Sequence, residues 1–482
     1  MPPSIKPLLY AILFTLAFGT LLHSQPYALS ASSYLGGSGS TDSVRGAVIH
    51  ADGTLCLAAN LADGDPAAPR TDTLAGGGSG AIVRLSADGR RVLSVTRIAD
   101  RVWDLSRDEA GNLYIAAGPD GVMKLDPTAR TLLWHHLAGE LVMRVDAAAD
   151  GHCVALVAGS TSSNTPGAGE VVLLANDAAG TQLNRFNTGW NALDVCIDGR
   201  TRTIAQAGWY NDFVYNGPYS RSYNGGTTTP VDVPYVLGFP YDYDPTGGTG
   251  RKWELHNWNG GPWLDKENRI PNPEYVNYPF STEADNLYTQ AEADAVSASD
   301  GLDYDYLVGM PKSISNNMAD TRAYRVTMGG DGKLYVGYEA DGGNTPLRWD
   351  PQDLKVSAPW TASDGFFDSF YATSTVPKVV VSRHALTSTS VEWEATFGFT
   401  SRKSPRADGT TDNTIHMEDG ALEADAAGRV YLGMRSYFGF YLPEHPYAGF
   451  SIPRPGEVSF DPFTDAYLGG ACLMVMSPDF RI

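Results

Sequence analysis

Aromatic side chains are concentrated in one stretch of the chain: residues 209–280 hold 16 of its 52 aromatic residues. Gly, Pro and Asn interrupt this stretch, which is typical of long surface loops. Exposed rings beside polar groups suit sugars, because sugar C–H faces stack on rings while the hydroxyls form hydrogen bonds. The pattern favours a ligand-binding surface, and the alternative is a small core made by the loop itself. The candidate ligand-binding residues are Trp209, Tyr210, Tyr223, Tyr241, Tyr243, Trp253, Trp258 and Trp263.

Three carboxylates fall within six residues, at Asp300, Asp303 and Asp305. Closely spaced oxygen ligands suit Ca²⁺. The stretch lacks the glycine and the final glutamate of an EF-hand loop, so a solvated acidic loop is the alternative. Ca²⁺ is the only cofactor that the sequence indicates.

Signatures of catalysis are weak. A polysaccharide lyase would need a His or Tyr base and an Arg that neutralises a uronate carboxylate, and the chain offers His256, Tyr223, Arg221 and Arg251. Gly-x-Ser-x-Gly, His-Glu-x-x-His, P-loop and Cys-x-x-Cys motifs are absent from the sequence. Because propeller enzymes assemble their sites from scattered loops, the enzyme question stays open, with the sequence leaning towards no catalysis.

The net charge and the cysteine content narrow the possible classes of protein further. The formal net charge of −20 argues against nucleic-acid binding, which needs Lys and Arg against phosphates. Four cysteines in 482 residues do not make a disulfide scaffold. All four cysteines fall in predicted strands: Cys56, Cys153, Cys196 and Cys472. We expect them to be buried free thiols. In an exported chain, two disulfides are the alternative.

A hairpin pattern recurs along the chain, and the strands that it predicts must position the candidate binding residues. Each copy is a short apolar run, a turn with Asp-Gly or Ala-Gly, and a second apolar run, which predicts a β-hairpin. A second hairpin follows most copies, and the early copies lie 40 to 58 residues apart, which matches one four-stranded propeller blade. The copies begin at Val44, Val102, Val142, Ala192, Ala323 and Ala421.

The repeat predicts an all-β fold: a single β-propeller of six four-stranded blades, or seven if residues 345–400 hold a further pair. Residues 471–479 read as a third strand, and Tyr27–Leu35 read as the fourth strand of the same blade. Their pairing would close the ring and remove an open edge. The propeller spans 25–482, with a long aromatic-rich loop insertion at about 209–320.

The N-terminus resembles an export signal. Lys6 precedes an apolar run over residues 8–22, which is short for a membrane span. We expect a signal peptide at 1–24, with cleavage as late as residue 30; an uncleaved anchor is the alternative. No second long apolar segment occurs, so the mature chain has no predicted membrane span. The expected location is extracellular, at the cell surface or periplasmic.

Two segments resemble the bacterial SBBP-type β-propeller repeat. Residues 34–53 carry a Tyr-x-Gly-Gly start, a small-residue loop with Asp, a strand and an Asp-Gly turn, and residues 467–479 resemble the opposite half-repeat. The resemblance implies a secreted bacterial propeller. That family has no common catalytic residues, so the resemblance bears on fold and location and not on activity.

The sequence therefore favours a secreted, non-catalytic propeller that binds an extracellular glycan or surface protein through its aromatic-rich loops. One alternative is a polysaccharide lyase or hydrolase, and another is a structural component of the cell surface or matrix. The sequence does not indicate an oligomeric state.

Overall fold

The structure is a computed structural model of the 482-residue chain. It describes residues 43–62, 64–75, 78–159, 168–212, 231–255, 321–341, 377–399, 415–436 and 470–479. It also describes short pieces at 264–265, 270–271, 289–291, 294–295, 298, 349–350, 353–357, 360–362, 404–405 and 411–412. Almost all of these residues lie in strands and turns; among them, helical backbone is confined to 290–298.

Two sheets form the first third of the chain. The first has the strand order β1-β2-β4-β5-β3, with β1 (Ser43–Ile49), β2 (Leu55–Asn60), β3 (Thr71–Thr73), β4 (Gly80–Leu85) and β5 (Val92–Ala99). The second has the order β6-β7-β8-β9, with β6 (Asp104–Arg107), β7 (Leu113–Ala116), β8 (Val122–Leu125) and β9 (Leu132–His136).

The third sheet has seven strands in sequence order. They are β10 (Val142–Ala147), β11 (Cys153–Val157), β12 (Ala168–Leu174), β13 (Gln182–Asp198), β14 (Thr203–Asp212), β15 (Val231–Pro240) and β16 (Trp253–Leu255). A separate pair follows, β17 (Leu264–Asp265) with β18 (Ile270–Pro271).

The last two large sheets complete the fold. The fourth has the order β19-β20-β24-β25-β23, with β19 (Thr321–Met328), β20 (Leu334–Asp341), β23 (Trp360–Ala362), β24 (Pro377–Leu386) and β25 (Val391–Phe399). The fifth holds β28 (Ile415–Ala424), β29 (Val430–Ser436) and β30 (Gly470–Met476). Two short pairs accompany them, β21 (Trp349–Asp350) with β22 (Asp353–Ser357), and β26 (Ser404–Pro405) with β27 (Thr411–Asp412).

Every predicted repeat hairpin is confirmed as an antiparallel strand pair. The six pairs are β1–β2, β6–β7, β10–β11, β13–β14, β19–β20 and β28–β29. The hairpin β24–β25, which the sequence offered as a seventh blade, instead joins β20 in the fourth sheet. Residues 471–476 form the predicted third strand beside β29, while Tyr27–Leu35 lies outside the described residues.

The sheets follow one another in a propeller-like ring. We call β1, β6, β10, residues 191–198 of β13, β19 and β28 the axial strands, because each packs against the next along the chain. Each is an edge strand of its sheet or, in β13, the first strand of a second unit within it. Among the described residues, the ring is not closed between the last sheet and the first.

Gly46 allows the first two sheets to pack closely. A Cβ atom at Gly46 would lie 2.8 Å from both the Cβ and the backbone nitrogen of Leu105 on β6. A side chain at this position would therefore push β1 away from the core that the two sheets share, which includes Cys56, Ile82 and Ile115.

The connections between strands differ in length at the two ends of the sheets. At one end, which we call the short-turn face, the first two strands of each repeat are joined by tight turns, and the longest connection is 241–252. At the other end, the long-connection face, some connections are also short, namely 100–103, 117–121, 137–141 and 158–167. The longer ones are residues 61–79, 213–230, 256–320, 342–376, 400–414 and 437–469. Because connections in an antiparallel meander alternate between ends, the strand order fixes this assignment.

The cysteines that the structure describes with their side chains are buried free thiols: Cys56, Cys153 and Cys196. This confirms the expectation of buried thiols for these three. Of Cys472 only the backbone is described, within β30.

Asn60 joins the first two sheets. Its Oδ1 accepts the backbone N–H of Val102 at 2.8 Å, and its Nδ2 donates to the Val102 carbonyl at 3.0 Å. The Asn60 side chain is 4% exposed, so water does not replace these bonds when the side chain is removed. We expect Asn60→Ala to lower the free energy of unfolding by about 2–3 kcal/mol, because it leaves two buried backbone groups unpaired.

Urea denaturation of the protein measures this effect. Gln182→Ala, at an exposed position of β13, is the control and should change the free energy of unfolding by less than about 0.5 kcal/mol. Equal stability of Asn60→Ala and the wild type would contradict a structural role for this contact.

Candidate functional site

Charged side chains occupy one repeated position on the axial strands. Two residues after the first residue of each repeat copy, the chain places Gly, Asp, Arg, Asp, Arg and Glu in turn. The charges alternate in sign along the ring from the second copy to the sixth. With Asp146, two residues further along β10, they form what we call the axial cluster: Asp104, Arg144, Asp146, Asp194, Arg325 and Glu423.

The aspartates of the axial cluster bind the backbone of the next axial strand. Asp104 Oδ2 accepts the N–H of Val145 at 3.1 Å, and Asp194 Oδ2 accepts the N–H of Val326 at 3.0 Å. Asp146 bonds in both directions, because it accepts the Ile197 N–H at 2.9 Å and the Ser106 hydroxyl at 2.8 Å.

These hydrogen bonds are possible because the axial strands are bulged. The pairing register shifts between Val142 and Arg144, between Ala192 and Asp194, and between Ala323 and Arg325. A bulge bends the strand and leaves one residue outside the ladder. The residues left out are Met143, Leu193 and Tyr324. The amides of Val145 and Val326, two residues after the first and the third of them, bond to the preceding aspartates.

The two arginines of the cluster lie between the carboxylates. Arg144 Nε is 3.7 Å from Asp194 Oδ1. Arg325 Nε donates to the carbonyl of Gly420 at 2.6 Å, which links β19 to β28. The arginines thus offset part of the negative charge and also connect neighbouring strands.

Burial raises the pKa values of the axial carboxyls. Desolvation raises the pKa of Asp146 to about 7 and that of Asp194 to about 6, and the Asp104 carboxylate adds to both shifts. The pKa of Glu423 rises to about 8, first through desolvation by the surrounding protein and then through repulsion from Asp146 and the other two carboxylates, although Glu423 itself is exposed to solvent. The pKa of Asp104 is also raised by burial. Several of these carboxyls therefore titrate near neutral pH.

Carboxyls with raised pKa values are candidates for acid–base catalysis. Here, however, the oxygens of Asp104, Asp146 and Asp194 accept backbone N–H groups that hold adjacent strands together. Within the described part of the chain, no three His, Cys, Asp or Glu side chains are arranged to hold a metal ion. The arrangement is suited to fastening the axial strands.

Two of the predicted ligand-binding residues lie towards the long-connection face, near the end of β14. Trp209 is half-buried, and the Arg322 guanidinium lies 5.0 Å from its ring centroid. Tyr210 is buried and stacks on Trp190 at 4.7 Å. Arg322 also pairs with Asp232 at 2.5 Å. The loop position expected for Trp209 and Tyr210 is wrong, because both belong to a strand.

Three others lie towards the short-turn face. Tyr241 and Trp253 are buried, and Tyr243 packs beside Phe186 at 4.8 Å. Trp253 lies in β16, where its ring occupies the space in which a Cβ of Gly238 would stand. The described aromatic residues therefore do not form one continuous surface, and strands β15 and β16 interrupt the expected insertion.

The remaining predicted residues lie outside the described part of the chain. They are the candidate ligand-binding residues Tyr223, Trp258 and Trp263 and the candidate calcium ligands Asp300, Asp303 and Asp305. Of the lyase candidates only Arg251 is described, and it pairs with Glu254 at 2.5 Å. The ligand-binding and calcium roles stay predictions.

Sequence reasoning missed the axial cluster, although a signal for it exists. Aligning the repeat copies by their first apolar residue places Asp104, Arg144, Asp194, Arg325 and Glu423 in one column. A strand residue that is charged in five of six copies, with alternating sign, is unusual for a solvated face. The column indicates a position at which neighbouring copies meet.

Comparison with known proteins gives no family. No protein-family model and no curated protein matches the sequence. Among solved structures, U3-55K is 9% identical, with 84% of this chain and 94% of that chain covered and a TM-score of 0.33. The computationally designed Ika4 protein is 9% identical, with coverages of 36% and 92% and a TM-score of 0.26.

A third likeness is to XC5397, a gluconolactonase from Xanthomonas campestris, which is 17% identical, with coverages of 33% and 52% and a TM-score of 0.22. All three scores are too low to support a conclusion about this chain.

In the part of the chain that the structure describes, no helix has the length and apolar character needed to cross a bilayer.

The axial carboxyls predict how stability depends on pH. A carboxyl whose pKa is higher in the folded than in the unfolded protein binds its proton more tightly when folded. Lowering the pH from 8 to 5.5 should therefore raise the free energy of unfolding, because this range spans the pKa values of Asp146, Asp194 and Glu423. Urea titrations at several pH values measure the slope.

The variants Asp146→Asn and Glu423→Gln should each flatten this slope, since they remove one titrating group. Asp88→Asn is the control: hydrogen bonds from Ser86 and the Arg90 amide lower the Asp88 pKa, so this group stays ionised throughout the range. A slope that is unchanged in both axial variants would show that these carboxyls do not control the pH response.

Proposed function

We propose that the protein is a secreted, non-catalytic β-propeller that binds an extracellular ligand, a glycan or a surface protein, on its long-connection face. The observation that carries this proposal is the difference between the two faces. Connections at one end have at most twelve residues, whereas segments such as 213–230 and 256–320 join strand ends at the other. Binding residues in repeat folds are concentrated on loops held by a rigid scaffold.

The axial cluster supports the non-catalytic part of this proposal. Its aspartate oxygens already accept hydrogen bonds from the next strand, so a substrate would have to compete with the bonds that hold the propeller together. Fastened strands also give the long connections a fixed base, which lowers the entropic cost of binding.

The aromatic residues support the position of the ligand. Tyr223 belongs to the connection 213–230, which starts and ends at the long-connection face. The same holds for Trp258 and Trp263 in the connection 256–320. Their ring faces suit sugars, and Asp300, Asp303 and Asp305 in that connection would supply the oxygen ligands for Ca²⁺.

We further propose that the ring has six blades. The seven-stranded sheet counts as two blades, because residues 182–191 of β13 pair with β12 while residues 191–198 pair with β14. With the other four large sheets this makes six. The resemblance to the SBBP-type repeat and the predicted signal peptide agree with an exported propeller.

Closure of the ring by the N-terminal segment completes this proposal. The last sheet has three described strands, and the exposed side chains of β1 include Val44 at 49% and Ile49 at 58%. Residues 27–35 are the segment proposed to pair with β30 as a fourth strand. This pairing would also bring the last sheet against the apolar side chains of β1.

A truncation series tests ring closure. A mature chain that starts at residue 42 should unfold at lower urea concentration than one that starts at 27, and a synthetic peptide of residues 27–41 should restore the midpoint. A chain that starts at residue 25 is the control, and its urea midpoint should equal that of the chain that starts at residue 27. Equal midpoints for the chains starting at 27 and 42 would contradict closure by this segment.

A glycan-array assay on the mature protein, with and without calcium, tests the binding proposal. We expect retention of an intact glycan, and mass analysis of the retained glycan checks that it is uncleaved. Cleavage to unsaturated uronates would instead show a lyase. Self-assembly without any binding would favour a structural component of the surface or matrix.

A loop replacement locates the site. Because Asp212 pairs directly with Val231, replacing residues 213–230 by Asn-Gly should close a two-residue hairpin without disturbing β14 and β15. We expect at least a tenfold loss of affinity for the array ligand. As a control, removal of residues 245–248 at the short-turn face should leave the affinity for the array ligand unchanged. Unchanged affinity after replacement of residues 213–230 would contradict the proposal.

A further inference from the structure

One turn on the short-turn face departs from the pattern of the repeats. In the other five repeat hairpins, the turn contains a glycine with positive φ: Gly53, Gly111, Gly151, Gly332 and Gly428. The fourth hairpin is one residue shorter, since Asp198 pairs with Thr203 whereas Ala147 pairs with Cys153. Its left-handed residue is Arg202, with a φ of 51°. A side chain in this conformation costs backbone energy that a glycine would avoid.

Two contacts fix where Arg202 points. Lys252 Nζ donates to the carbonyls of Thr201 and Arg202, at 2.6 and 3.2 Å, and so braces the turn. The guanidinium of Arg202 then lies 4.6 Å from the ring centroid of Tyr241. The Arg202 residue itself is exposed, so its side chain is free to move off the ring.

Tyr241 is unusual among the buried tyrosines. It is 5% exposed, and its hydroxyl has no hydrogen-bond partner among the described residues. By contrast, the hydroxyl of the buried Tyr335 donates to Asp331 at 2.8 Å. Burial raises the pKa of Tyr241 above its usual value, which keeps the hydroxyl protonated as a donor. A buried hydroxyl without a partner requires an explanation, and a ligand is one.

A histidine–aspartate pair completes the cluster. The rings of His152 and Tyr241 have centroids 5.5 Å apart. Asp150 Oδ1 accepts the backbone N–H of His152 at 3.1 Å, its Oδ2 lies 3.0 Å from His152 Nδ1, and Asp150 is exposed at the rim. The cluster thus offers donors from Tyr241 and Arg202 and an acceptor from Asp150, around one aromatic ring.

We propose that Tyr241, Arg202, His152 and Asp150 form a binding site for a neutral sugar on the short-turn face. The sugar ring would displace the Arg202 guanidinium from the face of Tyr241 and stack there, while its hydroxyls bond to the tyrosine hydroxyl, the guanidinium and Asp150. The mixed set of donors and acceptors, with Arg202 and Asp150 opposite in charge, favours a neutral polyhydroxy ligand over an anion.

This site is independent of the proposed function, because it lies at the opposite end of the sheets from the long connections. Replacement of residues 213–230 should leave it intact, and loss of this site should leave binding at the long-connection face intact. The two proposals therefore succeed or fail separately.

Saturation-transfer NMR on the mature protein tests the proposal. The probes are methyl β-D-glucopyranoside, methyl β-D-galactopyranoside and methyl α-D-mannopyranoside, with D-glucuronate as the anionic comparison. We expect at least one neutral glycoside to bind more tightly than glucuronate. Tyr241→Phe and Arg202→Gly should each lower its affinity at least fivefold.

Tyr335→Phe is the matched control, since it also removes a buried tyrosine hydroxyl on the short-turn face. It should leave sugar affinity unchanged but lower the melting temperature, because the bond to Asp331 is lost. Tyr241→Phe should not lower the melting temperature. The proposal is overturned if none of the neutral glycosides binds, if glucuronate binds more tightly, if Tyr241→Phe keeps full affinity, or if it destabilises as much as Tyr335→Phe.

Discussion

The fold depends on how the backbone amides of the axial strands find partners. Each axial strand is an edge strand of its sheet or, in β13, the first strand of a second unit within it, so part of its backbone faces away from the ladder, towards the neighbouring unit. Side-chain oxygens of the preceding unit accept these N–H groups: Asn60 for Val102, Asp104 for Val145, Asp146 for Ile197, Asp194 for Val326 and Glu339 for Met417. Buried amides without partners are costly. These five bonds therefore fix the order and spacing of the units around the ring.

Using carboxylates for this purpose has an electrostatic consequence. Four carboxyls come close together near the centre of the ring, and their burial favours the protonated form. Arg144 and Arg325, placed between them, offset part of the charge, and raised pKa values offset more of it. The cost of burying charge is met by pairing and by proton uptake. The described carboxylates at the centre therefore hold neighbouring strands together.

The aromatic stretch shows why composition alone can assign strand residues to loops. Trp209, Tyr210 and Trp253 were expected in exposed loops because Gly, Pro and Asn surround them. In the structure they lie in strands β14 and β16, where they pack against the hydrophobic core. Gly238, which resembles a loop residue in the sequence, provides the space for the Trp253 ring. Glycine beside an aromatic residue can indicate close packing as well as a loop.

The sequence by itself determined the hairpins, because period-two apolar patterns and Asp-Gly turns are local signals. It correctly located six strand pairs, the third strand at residues 471–476 and the buried state of three cysteines. Only the tertiary structure decided which hairpins share a sheet, as with β24–β25, and which residues meet at the centre. The partners there, such as Asp194 and Val326, lie more than a hundred residues apart. Arg202 and Tyr241 meet because Thr203 pairs with Pro240, and His152 reaches them from the β10–β11 turn of the same sheet; the turn patterns of the sequence do not reveal these pairings.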